Sequence, residues 1–501
     1  MAHLNTPLWL EDADPTFAPL AGELEVDVAV LGAGITGTTT AYLLGQEGLR
    51  VALLEAGHVA SGATGYTTAK LTAGHGLVYA RLVEEFGADV AARYARSNRE
   101  AIERVAGIVD EHGIECDFER ASNYVYVESP AADAELEREL LAARAAGLAA
   151  VRTTETDLPY PVAAAIRLDG QAQLHPWKYV SALALLVAAS GGHVHERTRA
   201  LRVRSGDPCV VETGEGRVRA GHVVVATQLP FLDRGLLFAK AHPFTSFVVA
   251  ARVDEAAAPR GMYISADEPR RSVRSTPAGD GRRVVLVGGE GGRPGDDGAE
   301  RYARLERFLQ ERFGAAAEYR WSTHDYVPLD GLPYIGRLLP GDGRVLVATG
   351  FAKWGMTKGT LAAALLADAV LGRPNVDAEL YSATRVDAKR SVPSFATENG
   401  RVGLAFVRDR FRPRIGRAAV DALAPGEGAV CRIGAKLYAV HRDDDGRLHS
   451  LSARCPHLGC IVGWNGADRA WECPCHGSRF AADGSLEQGP ATADLRAEPL
   501  G

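Results

Sequence analysis

Near the C-terminus, Cys455-Pro-His457 and Cys473-Pro-Cys-His476 each place a cysteine and a histidine in one short segment, with 15 residues between the segments. Two thiolates and two imidazoles are the donor set of a [2Fe–2S] centre whose cysteines hold one iron and whose histidines hold the other. Zinc also accepts two of each, but zinc fingers place their cysteines together and then their histidines, whereas here each segment donates one of each. Of seven cysteines, Cys455, Cys460, Cys473 and Cys475 fall within 21 residues, and Cys116, Cys209 and Cys431 are scattered. In a reducing compartment such a cluster is metal-binding before it is a disulfide framework. A second constellation lies near the N-terminus, in Gly32-Ala-Gly34-Ile-Thr-Gly37. The first glycine allows a tight turn, the second lets a pyrophosphate approach the backbone, and the third lets helix and strand pack closely. Unpaired amides and the helix dipole then favour phosphate at the helix start. Glu55, 23 residues after Gly32, stands where a carboxylate accepts hydrogen bonds from adenosine ribose hydroxyls.

The elements that must position these groups follow from apolar patterning. Val26–Leu31 predicts a strand, Thr38–Glu47 a helix and Arg50–Leu54 a second strand, which together make one βαβ unit and imply a parallel, doubly wound sheet. Helices are expected over 88–110 and 131–149, and buried strands at Val223–Thr227, Val284–Val287 and Val345–Ala348. The pattern dissolves at Pro374, Pro393, Asn399-Gly400 and Pro413, so residues 386–417 form a candidate linker between a first part, 1–385, and a second, 418–501. That linker carries Arg408, Arg410, Arg412, Arg414 and Arg417, read as a strap over the protein's own acidic surface.

Composition narrows the function classes. The chain has 501 residues, 46% of them hydrophobic, and 56 Lys plus Arg against 63 Asp plus Glu give a net charge of −7. No basic footprint for nucleic acid is present, and no apolar run approaches the roughly 20 residues of a spanning helix. The start of the chain lacks the basic and apolar regions of a secretory signal, so a cytoplasmic location is expected.

Val26–Gly57 resembles the FAD-binding start of the D-amino-acid oxidase, glycine oxidase and sarcosine oxidase class. Ser61-Gly-Ala-Thr-Gly65 with Tyr66-Thr-Thr-Ala-Lys70 is similar to the loop that wraps the flavin in that class. Asp330-Gly-Leu-Pro-Tyr-Ile-Gly336 resembles its DGxPxIG element, and Gly350-Phe-Ala-Lys-Trp-Gly355-Met-Thr357 its glycine-rich turn and helix start beside the flavin pyrimidine. The resemblance spans about residues 24–375. It implies an α/β, Rossmann-type FAD domain with an interleaved α+β substrate part. It also implies FAD contacts from Gly32, Gly34, Ile35, Thr36, Gly37, Glu55, Ala56, Gly62, Thr67, Thr68, Ala69, Lys70, Ala226, Thr227, Gly350, Trp354, Gly355, Met356 and Thr357. The sequence departs from the class at the substrate anchors. Asp325 stands where glycine oxidases carry a carboxylate-clamping arginine, and Thr357, followed by Lys358, where sarcosine oxidases carry a lysine. Asp325, Tyr326 and Lys353 are the candidate catalytic residues, with His324 beside them. His75 and His175 are expected to be packed structural histidines.

Cys455-Pro-His-Leu-Gly-Cys460 and Cys473-Pro-Cys-His-Gly-Ser478 resemble the paired boxes of high-potential Rieske proteins, and Gly489-Pro490-Ala491 their cluster-covering loop. The resemblance implies a small all-β Rieske domain with Cys455, His457, Cys473 and His476 as ligands and a Cys460–Cys475 disulfide joining the loops. Ser478 matches the serine that donates toward a cluster sulfur. Phe480 replaces the second donor, a tyrosine, which implies an intermediate potential. FAD beside [2Fe–2S] implies an oxidoreductase acting on C–N bonds of an amine or amino-acid derivative, with electrons relayed through the cluster to an external acceptor. Two other readings stay open: a Rieske-fed flavin reductase or monooxygenase, and a redox sensor or electron carrier without small-molecule turnover.

Overall fold

A computed structural model describes residues 3–500 except 5, 12, 15, 297, 387–396 and 404–412. The strand Gly22–Leu31 is central because its second half, Val28-Ala-Val-Leu31, is apolar on both faces, as a parallel strand covered on each side must be. It pairs in parallel with Gly216–Val225 on one side and Val51–Leu54 on the other. His193–His195 and Asp342–Thr349 extend the parallel run, and Tyr334–Leu339 closes one edge antiparallel. Cys209–Glu212 on Gly216–Val225, and Arg202–Arg204 beyond it, bring this sheet to eight. The helices Ile35–Gln46, Pro176–Ala189 and Gly355–Val370 pack together beside it. Each fully buried valine or leucine of this core contributes about 1.5–3 kcal/mol.

A second sheet of ten strands is mostly antiparallel. Its long strands Ala241–Asp254 and Tyr319–Pro328 pair so that Pro243 faces Tyr326 and Phe244 faces Asp325. The amphipathic helix Ala299–Phe313 covers it through Tyr302, Leu305 and Leu309. The mixture of a Rossmann-type layer and an antiparallel substrate layer matches the expected fold class. The expected helices appear as Ala88–His112 and Asp133–Ala145, the latter ending in the cap Ala146 before Gly147.

The last part of the chain is built on two four-stranded sheets, with one short helix, Arg417–Asp421, beside them. Gly428–Ile433, Lys436–Arg442 and Leu448–Ser452 form one antiparallel meander. Gly463–Asn465, Ala470–Glu472, Arg479–Ala481 and Leu486–Gln488 form the other. Much of the segment 386–417, including Arg408, Arg410 and Arg412, lies outside the described residues. Within it, Arg414–Ile415 already pairs with Gly428–Ile433, and Arg414 forms an ion pair with Glu427 at 2.7 Å. Among the described residues, no helix is long and apolar enough to cross a membrane.

Candidate active site and cluster site

The glycine turn after Leu31 shows why each glycine is needed. Gly32 has φ +96°, and a Cβ there would lie 2.7 Å from the Ala226 carbonyl oxygen. A Cβ on Gly37 would fall 1.9 Å from the Gly32 carbonyl oxygen, so the helix Ile35–Gln46 can approach its strand only with glycine at that position. Glu55 accepts hydrogen bonds from the Ala33 amide at 2.7 Å and the Gly57 amide at 2.8 Å. Burial raises its carboxyl group's pKa, against these bonds. The turn opens into a cavity of about 1060 Å³.

Of the residues expected to bind FAD, Gly32, Gly34, Ile35, Thr36, Glu55, Ala56 and Gly62 line this cavity. So do Thr67, Thr68, Lys70, Ala226, Thr227, Trp354, Gly355 and Met356. Gly37, Ala69, Gly350 and Thr357 stand behind the wall and shape it. Ala69 has φ +55°, and its carbonyl accepts from the buried Arg274 at 2.8 Å. Gly350, at φ +79°, packs on Pro328. Thr357 Oγ1 accepts the Thr72 amide at 3.0 Å, latching the helix Gly355–Val370 to the flavin-wrapping segment. The helix-start amides, the glycine cradle and the carboxylate at the strand end are the groups that a dinucleotide requires.

At the other end of the cavity the anchors differ from the expectation. Asp325 lines the wall, but its carboxylate accepts the backbone amides of Tyr326, at 2.8 Å, and of Lys353. It therefore holds the turn in which Ala352 and Lys353 have φ +51° and +72°. Burial raises its carboxyl group's pKa. The Lys353 ammonium sits 3.8 Å from the Phe244 ring centroid with its pKa lowered by burial to about 8. Neighbouring cations are neutralised or occupied: Arg271 pairs with Glu290 at 2.5 Å, and Lys70 donates to Ser272 Oγ at 2.7 Å. Tyr326 does not line the cavity; its ring is buried against the Rieske domain. Its hydroxyl donates to the His476 carbonyl at 2.7 Å.

The histidines separate by role. His175 caps the helix Pro176–Ala189, accepting the Lys178 amide at 3.4 Å. His75 lines the cavity, its ring tilted by 32° at 4.6 Å from that of Trp354, with Nδ1 on the Tyr94 hydroxyl and Nε2 buried without a hydrogen-bond partner among the described residues. His324 is hydrogen-bonded to Thr245 Oγ1 at 2.9 Å, and burial lowers its pKa to about 3.

In the C-terminal part, Cys455 and Cys473 are buried free thiols, and Cys460 and Cys475 form a disulfide. The Nδ1 atoms of His457 and His476 are buried without hydrogen-bond partners, in rings 4.9 Å apart. Two thiols and two orphaned imidazole nitrogens on facing loops fit a [2Fe–2S] cluster. The Ser478 hydroxyl lies within reach of Cys455 and accepts the Ala491 amide at 3.1 Å, pinning the Gly489-Pro490-Ala491 loop. Phe480 is fully buried beside Trp471.

This site is docked on the first part of the chain. His457 Nε2 lies 3.3 Å from Asp233 Oδ1, and Phe238 meets both cluster histidines edge-on. Arg479 donates to Ser322 Oγ at 2.8 Å and lies 3.4 Å from both Asp468 and Glu472, while the Gly295 amide donates to Glu472 at 2.6 Å. Leu486–Thr492 form part of the cavity wall. The covering loop was legible in the sequence, but its second role was not, because only the docked arrangement brings it to the flavin site. Asp233, Phe238 and Phe244 carry no local signal and were missed.

Two cofactor-binding folds therefore meet in one chain, and comparison with known proteins agrees. Residues 27–369 match the model of the FAD dependent oxidoreductase family, and residues 416–499 match the Rieske [2Fe-2S] domain. The chain belongs to that FAD dependent oxidoreductase family and carries a C-terminal Rieske domain; it is an oxidoreductase that uses FAD and [2Fe–2S]. It is 34% identical over 497 residues to YhfW of Bacillus subtilis (strain 168), a protein named for a Rieske 2Fe-2S iron-sulfur centre, with 97% of this chain and 96% of that protein covered. Among solved structures it is similar in fold to glycine oxidase from Geobacillus kaustophilus, with TM-score 0.58 and 21% identity over 73% of this chain and 100% of that one. L-proline dehydrogenase from P. horikoshii is also similar, with TM-score 0.58 and 17% identity over 73% of this chain and 98% of that one.

Proposed function

We propose that this protein is a dehydrogenase that oxidises a C–N bond of an amine or amino-acid derivative and passes the electrons through its Rieske centre to an external acceptor. One observation carries the relay: residues Leu486–Thr492, which follow the cluster ligands, wall the same cavity as Gly32, Glu55 and Gly355. FAD takes two electrons from a substrate as a hydride, and [2Fe–2S] carries one at a time.

The residues of the chain divide the remaining work. In this reading Gly32, Gly34, Ile35 and Thr36 receive the pyrophosphate, and Glu55 the adenosine ribose. The start of the helix Gly355–Val370 favours negative charge at the pyrimidine end. Lys353 binds a substrate carboxylate in place of the absent arginine, because it lines the cavity and, among the described residues, forms no ion pair with a carboxylate. Asp325 positions Lys353 through the turn amide, and Phe244 supplies an apolar floor. Cys455, His457, Cys473 and His476 hold the cluster. The FAD-binding and cluster-binding parts divide at the segment 386–417.

A panel of amines and amino acids mixed anaerobically with the holoprotein tests this reading. A good substrate bleaches the flavin absorption and reduces the cluster, with little peroxide formed in air. Stoichiometric peroxide with a cluster that stays oxidised would contradict it.

A further inference from the structure

Both cluster histidines are covered by residues of the FAD domain, and one of these residues belongs to the cavity wall's own strand. On Tyr319–Pro328, Thr323, His324, Asp325 and Val327 line the cavity, while Tyr326, 1% exposed, reaches the Rieske domain. Its hydroxyl donates to the carbonyl of His476 at 2.7 Å. Its backbone is fixed from the cavity side: Asp325 accepts its amide at 2.8 Å, and its carbonyl accepts the Ala352 amide at 3.1 Å. A short series of covalent and hydrogen bonds thus joins the cavity turn to a cluster-ligand residue. The approach is close enough that a Cβ on Gly477 would lie 2.9 Å from Pro243 Cβ and 3.1 Å from the Tyr326 hydroxyl oxygen.

We propose that Tyr326 couples the two redox sites, holding the cluster loop against the cavity wall and carrying the electron path between them. This rests on the relay reading above. Each passage moves one electron, oxidising the reduced flavin by one equivalent and reducing one iron of the cluster. Two passages empty the flavin and release its proton to solvent, with an external one-electron acceptor reoxidising the cluster between them. Tyr326 is a positioning residue: it touches neither substrate nor the expected iron-ligating atoms.

The test uses the full-length holoprotein under anaerobic conditions, with the flavin photoreduced so that no substrate need be known. Cluster reduction is followed by absorbance and EPR. Tyr326→Phe is expected to keep the cluster EPR signature and the rate of flavin photoreduction. Transfer from flavin to cluster should slow at least about fivefold, the loss given by removing one buried hydrogen bond that holds the docked arrangement. Asp325→Asn, which weakens the clamp on the Tyr326 amide, is expected to slow the same step less, and it decides the matter if Tyr326→Phe fails to take up its cluster. Wild-type transfer rates in the decisive variant would overturn the proposal. A wild-type protein whose cluster stays oxidised beside reduced flavin would overturn the relay reading itself.

Discussion

The expected cluster site takes its four candidate donors from 22 consecutive residues, 455–476, and its two imidazole Nδ1 atoms are buried without hydrogen-bond partners among the described residues. The flavin cavity draws on segments from Leu31 to Thr492 and leaves about 1060 Å³ open. The first is a local module that one small domain can assemble; the second is complete only when both domains are docked. Substitutions should therefore act locally at the cluster and across the molecule at the cavity.

The largest expected effect is at a ligand. Cys473→Ser should abolish the Rieske EPR signal while flavin absorption persists, and joint loss of both cofactors would show that the module is not local. Next is Arg479, which donates across the interface to Ser322 and pairs with two carboxylates of its own domain. Arg479 is buried against Asp468 and Glu472, so Arg479→Leu leaves two buried carboxylates without their cation. Breaking such a pair costs about 3–5 kcal/mol. Thermal unfolding should fall accordingly, with weaker FAD retention measured by fluorescence of the released flavin, although Arg479 itself does not line the cavity.

A smaller effect separates the two ends of the cavity. Lys353→Met should raise KM for a carboxylate-bearing amine about tenfold, with a lesser change in kcat, as loss of a charge-assisted hydrogen bond implies. The pH dependence has a definite sign. The ammonium is charged below about 8 and loses its proton above it, so KM of the wild type should rise as pH passes 8, and that rise should be absent in the variant. The smallest effect is at Phe480, whose ring is buried near the cluster. Phe480→Tyr adds a donor toward the cluster sulfurs and should raise the midpoint potential in a redox titration; an unchanged or lower potential would show that the hydroxyl does not reach.

Legibility in the sequence follows the same division. The Rieske domain and the Cys460–Cys475 disulfide could be read because iron ligation fixes residue types at short spacing. The glycine turn and Glu55 were readable because one βαβ unit positions them all. The roles of Asp325 and Tyr326 were not. Neighbours on a strand alternate in direction, and what Tyr326 meets depends on His476, 150 residues further along. Asp325 was a candidate catalytic residue, but the backbone amides of Tyr326 and of Lys353 already occupy its carboxylate. The partnership of Asp233 with His457 likewise arises only on docking.

The central claim is that electrons entering at the flavin cavity leave through the cluster of the same chain. Freeze-quench EPR after anaerobic mixing of the holoprotein with a flavin-bleaching amine tests it most directly. The account predicts that the reduced Rieske signal appears after flavin bleaching, at a rate independent of protein concentration. A cluster that stays oxidised while the flavin is fully reduced, or that is reduced only at a rate proportional to protein concentration, would contradict it.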